Sequence, residues 1–380
     1  MPLFLAVVMA LSTATAATPP PKASAPPAAE AVPVWAEDDA EPPPTPEQRA
    51  EKAAYLSYTR SLLKSLRASS RPRDRAIATQ MGWMPAMMEG RMPSPAEQAA
   101  DGAILRAAAE AAPDDALLQR LWSQASPEAS GCDARRPCPE RSRALVRLQP
   151  DNAVAWMPTV EAAWKARDVA ATDAALAQMA RATMFDDYTG EAIKAWVDVY
   201  RRYPAPAPPA GSAEAAAGRG VAGFSQAMAY AAATETPAFG SVAQACHHDW
   251  HPDAPPSRFH DCAQVGRVLL TRSHTLLARQ MGRALLRISG QATPGDVAAA
   301  RTVAWQYEQW GRLIERLDDP ARMKGFMADW LATGDELAVL ERQFARDGIP
   351  LIPPAGWQPR GRDGKPIGPL GEAPATTKKP

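Results

Sequence analysis

The stretch RSRALVRLQPDNAVAWMPTVEAAWKARDVAATDAALAQMARATMFDDYTGEAIKAWVDVYRRY, Arg141 to Tyr203, decides the fold class. Leu145, Val146 and Leu148 form an apolar face that stops at Pro150. Asp151 or Asn152 then offers a cap, because a short side-chain oxygen accepts a free backbone N–H of a first helical turn. Trp156, Val160 and Trp164 follow at four-residue steps and share one helical face. Arg167-Asp168 breaks the pattern, and Asp168 provides the next cap. Thr172, Leu176 and Met179 stripe a second helix. Asp186 or Asp187 caps a third, with Ile193, Trp196, Val197 and Tyr200 facing inward. Short helices stacked in antiparallel pairs are the expected result.

The same reading extends outward. Ala, Leu, Arg and Glu dominate the chain, and alternating β-branched runs are nearly absent. An all-α protein is therefore expected. Basic and acidic residues balance at 42 each, with no basic stripe, so nucleic acid is not an expected partner. At 380 residues the chain has room for two domains or one elongated array.

With Trp156 early in its first helix and the crossing near Thr172, the 141–203 segment resembles a tetratricopeptide repeat. It departs from that pattern at several places. Val160 stands for the family's glycine, Ala163 and Leu176 for aromatics, Thr172 for alanine and Met184 for the closing proline. Pro158 falls inside a helix, where it removes one hydrogen bond. Upstream, Pro113-Asp114-Asp115-Ala116 echoes Pro150-Asp151-Asn152-Ala153, and Leu117, Leu118 and Trp122 follow it as an apolar face. The LxPDNAxAWxP pattern is similar to that of uncharacterised, alanine-rich exported proteins of Gram-negative bacteria. The resemblance implies an α-solenoid of helical hairpins whose concave surface takes a peptide or protein partner. The repeat core is then Trp156, Val160, Trp164, Leu176, Met179 and Trp196.

Residues 1–16 read as a secretory signal, with an apolar core from Leu3 to Leu11 and a small-x-small site at Ala14-Thr15-Ala16. No other segment has the length and apolarity of a membrane span. The expected location is the periplasm or the exterior. Residues 17–46 form a Pro/Ala-rich leader too polar to fold alone. A repeat-like domain is expected over 47–203, a linker over 204–220, a second helical domain over 221–352 and a disordered tail over 353–380. In the second domain Asp261 is expected to cap a long helix through Ile288, with later helices starting at Thr293-Pro294, Asp319-Pro320 and Asp335.

Three catalytic-looking motifs are rejected on context. Ser61-Leu62-Leu63-Lys64 matches S-x-x-K but lacks its companions and lies in helical periodicity. Gly218 to Gly223 satisfies G-x-G-x-x-G, but a proline-rich segment precedes it where a strand is needed. Met84, Met87, Met88 and Met92 suit flexible packing more than soft-metal binding.

The cysteines fall in two local pairs, Cys132 with Cys138 and Cys246 with Cys262. In an oxidising compartment these read as two disulfides, although pairing across the two is open from sequence. All five histidines lie between His247 and His274. His247, His248, His251 and His260 sit inside the second cysteine loop and are the candidate metal ligands, with zinc the candidate ion. Pro252, Pro255 and Pro256 break the regular zinc-motif spacing, and a disulfide consumes both thiols. A pH-responsive loop is a third option. The leading expectation is an exported interaction scaffold without catalysis. The alternative is a metal-binding protein or metal-dependent hydrolase built on the histidine loop, with Asp249 or Asp261 as base.

Overall fold

The computed structural model describes residues 45–125, 139–206, 219–234, 239–317, 319–361 and 364–372. The expected signal, most of the leader, the Cys132–Cys138 pair and most of the expected linker lie outside them. Among the described residues the secondary structure is helical, with isolated β-bridges and no named strand. The helices are α1 (Pro46–Arg67), α2 (Pro72–Met81), α3 (Trp83–Met88), α4 (Pro95–Ala111), α5 (Ala116–Gln124), α6 (Pro139–Leu148), α7 (Ala153–Lys165) and α8 (Val169–Ala180). They continue as α9 (Thr189–Arg202), α10 (Arg219–Thr234), α11 (Phe239–Ala245), α12 (Pro256–Arg272), α13 (Leu276–Ser289), α14 (Pro294–Ile314), α15 (Pro320–Thr333) and α16 (Glu336–Asp347). No described helix is long and apolar enough to cross a membrane.

Side-chain caps set most of these boundaries. Thr45, Ser94 and Thr293 each make a capping box, with proline following at the first turn. Asp115, Asn152, Asp168, Asp319 and Asp335 each accept a first-turn N–H. Two expected boundaries are corrected. Asp261 lies inside α12, which starts at Pro256, and the expected long helix breaks at 273–275 before Thr275 caps α13. The residue preceding α9 is Tyr188, in the left-handed region at φ 63°. Asp186 and Asp187 bind the backbone there instead, accepting from Tyr188 N at 2.8 Å and Thr189 N at 3.1 Å.

From α1 to α8 packing mostly follows chain order: α1 on α2, α2 on α4, then α5, α6, α7 and α8 in turn. After α8 that order ends. α8 packs on α12, α12 on α13 and α13 on α14, while α9 pairs with α10 and both meet α15. The reason is that one hydrophobic cluster, from Leu62 to Phe344, runs through both expected domains. Of the expected repeat core, Val160, Leu176, Met179 and Trp196 are fully buried. Trp156 and Trp164 only lean against the cluster, half-buried.

α12 and α13 cross unusually closely. A Cβ on Gly282 would lie 2.5 Å from Leu270 N and 2.6 Å from Gly266 O. Only a residue without a side chain fits between the two backbones.

The break at 273–275 is held by a polar junction. Phe185 N donates to Arg272 O at 3.3 Å, and Thr275 Oγ1 donates to Asp187 Oδ2 at 2.9 Å. Leu276 N donates to the Glu336 carboxylate at 2.7 Å, and His274 Nδ1 lies 2.8 Å from Asp335 Oδ2. Loss of hydration pushes the Glu336 carboxyl up to about 7, with Asp187 and Asp335 adding to the rise and the Leu276 N–H and Arg279 opposing it. The bond to Asp335 raises the His274 imidazole above its ordinary value, against the effect of burial. Burial alone would raise Asp335, but His274 and the α16 amides hold it below.

The expected disordered tail is also corrected as far as residue 372. Arg301 donates to the carbonyls of Pro354 and Trp357, both at 2.8 Å, and Trp357 sets its ring edge-on to Trp305 at 5.4 Å. Further on, Arg283 donates to Pro369 O at 2.5 Å and Arg287 to Gly371 O at 3.0 Å. Between those bonds Leu370 packs on a second apolar cluster of Ala263, Leu270, Leu286 and Val303. Arginine donors from α13 and α14 tie this segment to the helices, beyond the turns it closes within itself, such as Trp357 N to Pro354 O.

Candidate functional site

The site begins at the C-terminal end of α7. Glu161, Trp164 and Lys165 project from its last turns, and Lys165 Nζ pairs with Glu161 Oε1 at 2.6 Å. The helix closes at Arg167, whose φ of 57° puts it in the left-handed region. Arg167 N donates to Trp164 O, and Asp168 N donates to Ala163 O at 3.0 Å. This closure normally uses glycine. Asp168 then starts α8, carrying Val169 and Thr172. Val169 is 60 % exposed.

The opposite wall comes from a distant part of the chain. α11 packs across α7 and contributes Gly240, Ser241 and Gln244. Trp164 Nε1 donates to Gln244 Oε1 at 2.9 Å, which ties the two helices together. The loop after α11 folds back as a short 3-10 turn, His248–Trp250. His251 Nε2 lies 3.1 Å from Gln244 O, and its ring meets Trp164 edge-on at 5.3 Å. Arg258, in the first turn of α12, is buried and donates to Asp173 of α8. A disulfide between Cys246 and Cys262, with Cα atoms 5.6 Å apart, clamps this loop between α11 and α12. Together these residues line an open cavity of about 780 Å³.

The metal candidates behave differently. His247 stacks on Trp250 at 4.1 Å, and loss of hydration holds its imidazole below the ordinary value. His248 tilts against Phe259 at 4.8 Å, and His260 is exposed on α12. Of the four, only His251 reaches the cavity. Cys246 and Cys262 form the expected local disulfide, so neither offers a thiolate to a metal ion. Among the described residues no group of three His, Cys, Asp or Glu is placed to hold a metal ion. The other rejected motifs read as scaffold: Ser61 and Lys64 are exposed on α1, and Gly220 and Gly223 lie within α10.

Sequence reasoning had named Trp164, Thr172 and His251 for other roles. It missed Lys165, Arg167, Val169, Gln244 and Arg258 as lining residues. The signal for Arg167 was present, since a large cation stood where a helix-closing glycine belongs. Comparison with protein-family models, curated proteins and solved structures returned no match. The cavity offers cations, an indole face and an exposed valine, a mixture suited to holding a ligand by contact and charge.

Proposed function

We propose that this protein is an exported, non-catalytic helical scaffold that binds a peptide or protein segment in the α7–α8–α11–α12 groove. One observation carries the reading. Trp164, from the repeat-like stretch, and His251, from the disulfide-closed loop, meet edge-on and together line one open cavity. Ligand pockets form preferentially where separate parts of a fold come together. The Cys246–Cys262 disulfide supports an oxidising compartment. The tetratricopeptide-like character of 141–203 belongs to the same proposal, since stacked hairpins present such grooves.

Photo-crosslinking tests it. A benzophenone side chain is placed at Val169, and in a second protein at the exposed Arg312 of α14. Each is challenged with a mixed-sequence peptide library. Labelling at 169 but not at 312, lost on Trp164→Ala with the helical circular dichroism retained, supports the reading. Equal labelling at both positions, or none, removes it.

A further inference from the structure

We propose that the segment taken by this groove is acidic: an extended peptide with carboxylates flanking an aromatic or long apolar side chain. This rests on the binding reading above and names its ligand class.

Two independent observations carry it. The first is charge. Lys165, Arg167 and Arg258 line the cavity against a single lining carboxylate, Glu161. Glu161 is matched by Lys165, and Arg258 is matched by Asp173. Arg167 forms no ion pair among the described residues, and its side chain lines the cavity next to the Asp168 cap. The second is backbone geometry. Arg167 occupies a left-handed position where any Cβ costs energy and glycine costs none. Keeping an arginine at that position places its cation at the cavity rim, where it is tested against a ligand. Guanidinium groups grip carboxylates through paired N–H donors. Beside that cation, Trp164 and Val169 supply the apolar contact.

The experiment uses the full chain and three fluorescein-labelled peptides of equal length. Asp-Trp-Glu-Leu-Asp is compared with its amide counterpart Asn-Trp-Gln-Leu-Asn and with Lys-Trp-Lys-Leu-Lys, by anisotropy at low and high salt. The acidic peptide binds up to about fivefold tighter than the amide one at low salt, the most that one exposed ion pair supplies. The margin narrows at high salt, where charges are screened beyond roughly 3 Å. Arg167→Gly abolishes the margin while its melting temperature is unchanged or higher. That combination separates a ligand role from a structural one. Equal binding of acidic and amide peptides overturns the proposal, as does an Arg167→Gly protein that keeps the preference. If peptides label residue 169 without regard to charge, only this inference fails. If none labels it, the binding reading fails and takes this inference with it.

Discussion

Replacing Gly282 by alanine tests the central crossing of the molecule. Alanine is the better helix former by ~1 kcal/mol, so propensity alone predicts a more stable protein. The crossing predicts the reverse. The new Cβ would sit 2.5 Å from Leu270 N, 2.6 Å from Gly266 O and 2.9 Å from Leu269 Cβ. Two of those neighbours are backbone, and no rotamer change relieves them. The helices must separate by roughly 1 Å, and overpacking of this kind costs up to about 3 kcal/mol. The net expectation is a loss of about 2 kcal/mol, or a melting point lower by roughly 2–3 °C in a chain of this size. Gly311, in the interior of α14, is the control, because a Cβ there meets nothing within 4 Å. Gly311→Ala should gain about 0.5–1 kcal/mol. Both are read by urea unfolding followed by circular dichroism at 222 nm. If Gly282→Ala matches or exceeds Gly311→Ala in stability, the close crossing is refuted.

Three further outcomes follow from other contacts. Replacing Cys246 and Cys262 together by serine removes a clamp whose chain-entropy worth is ~3 kcal/mol for a loop of this length, and crosslinking from position 169 should fall with it; an unchanged unfolding midpoint would deny the clamp any role. Glu336 loses its proton near its ordinary 4.5 when unfolded but only near 7 when folded, so its contribution to stability falls as pH rises through that window. His274 acts in the same sense, its contribution being full below its ordinary 6.5 and lost as pH climbs through the raised folded value. Urea midpoints should therefore decline from pH ~5 to pH ~8, and Glu336→Gln should flatten the lower part of that slope; identical slopes would contradict the assignment. Buried Asp329 accepts from Arg346 at 2.6 and 2.9 Å and from Gln343 at 2.8 Å. Asp329→Ala should cost about 1–2 kcal/mol, chiefly by stranding the buried Gln343 amide, since Arg346 keeps access to water. These bonds also hold its carboxyl low against the opposing effect of burial, so the wild-type contribution disappears as pH falls through the folded value.

Local chemistry was legible in the sequence, and distant pairing was not. Asn152, Asp168, Asp319 and Asp335 were recognisable as caps because each acts on a backbone group two or three residues away. The break before Leu276 was hidden because its causes, Phe185, Asp187 and Glu336, come from two other parts of the chain. Trp164 carried the right periodicity for a core position, yet its indole turned to Gln244, eighty residues onward. The histidines were conspicuous by clustering, but rings that stack on Trp250 and Phe259 are spent on packing. Arg167 was visible as a helix break, while the cavity beside it was not, since its other wall arrives with α11 and α12.

The ordered strap after α16 has a practical consequence. Its proline and glycine content invites an engineer to end an expression clone near residue 352. That cut would remove Leu370 from the seam formed by Ala263, Leu270, Leu286 and Val303, and strip Arg283 and Arg287 of their carbonyls. The shortened protein would present a greasy slot flanked by unmatched cations, and its tendency to clump would be an artefact of the scissors rather than a property of the fold.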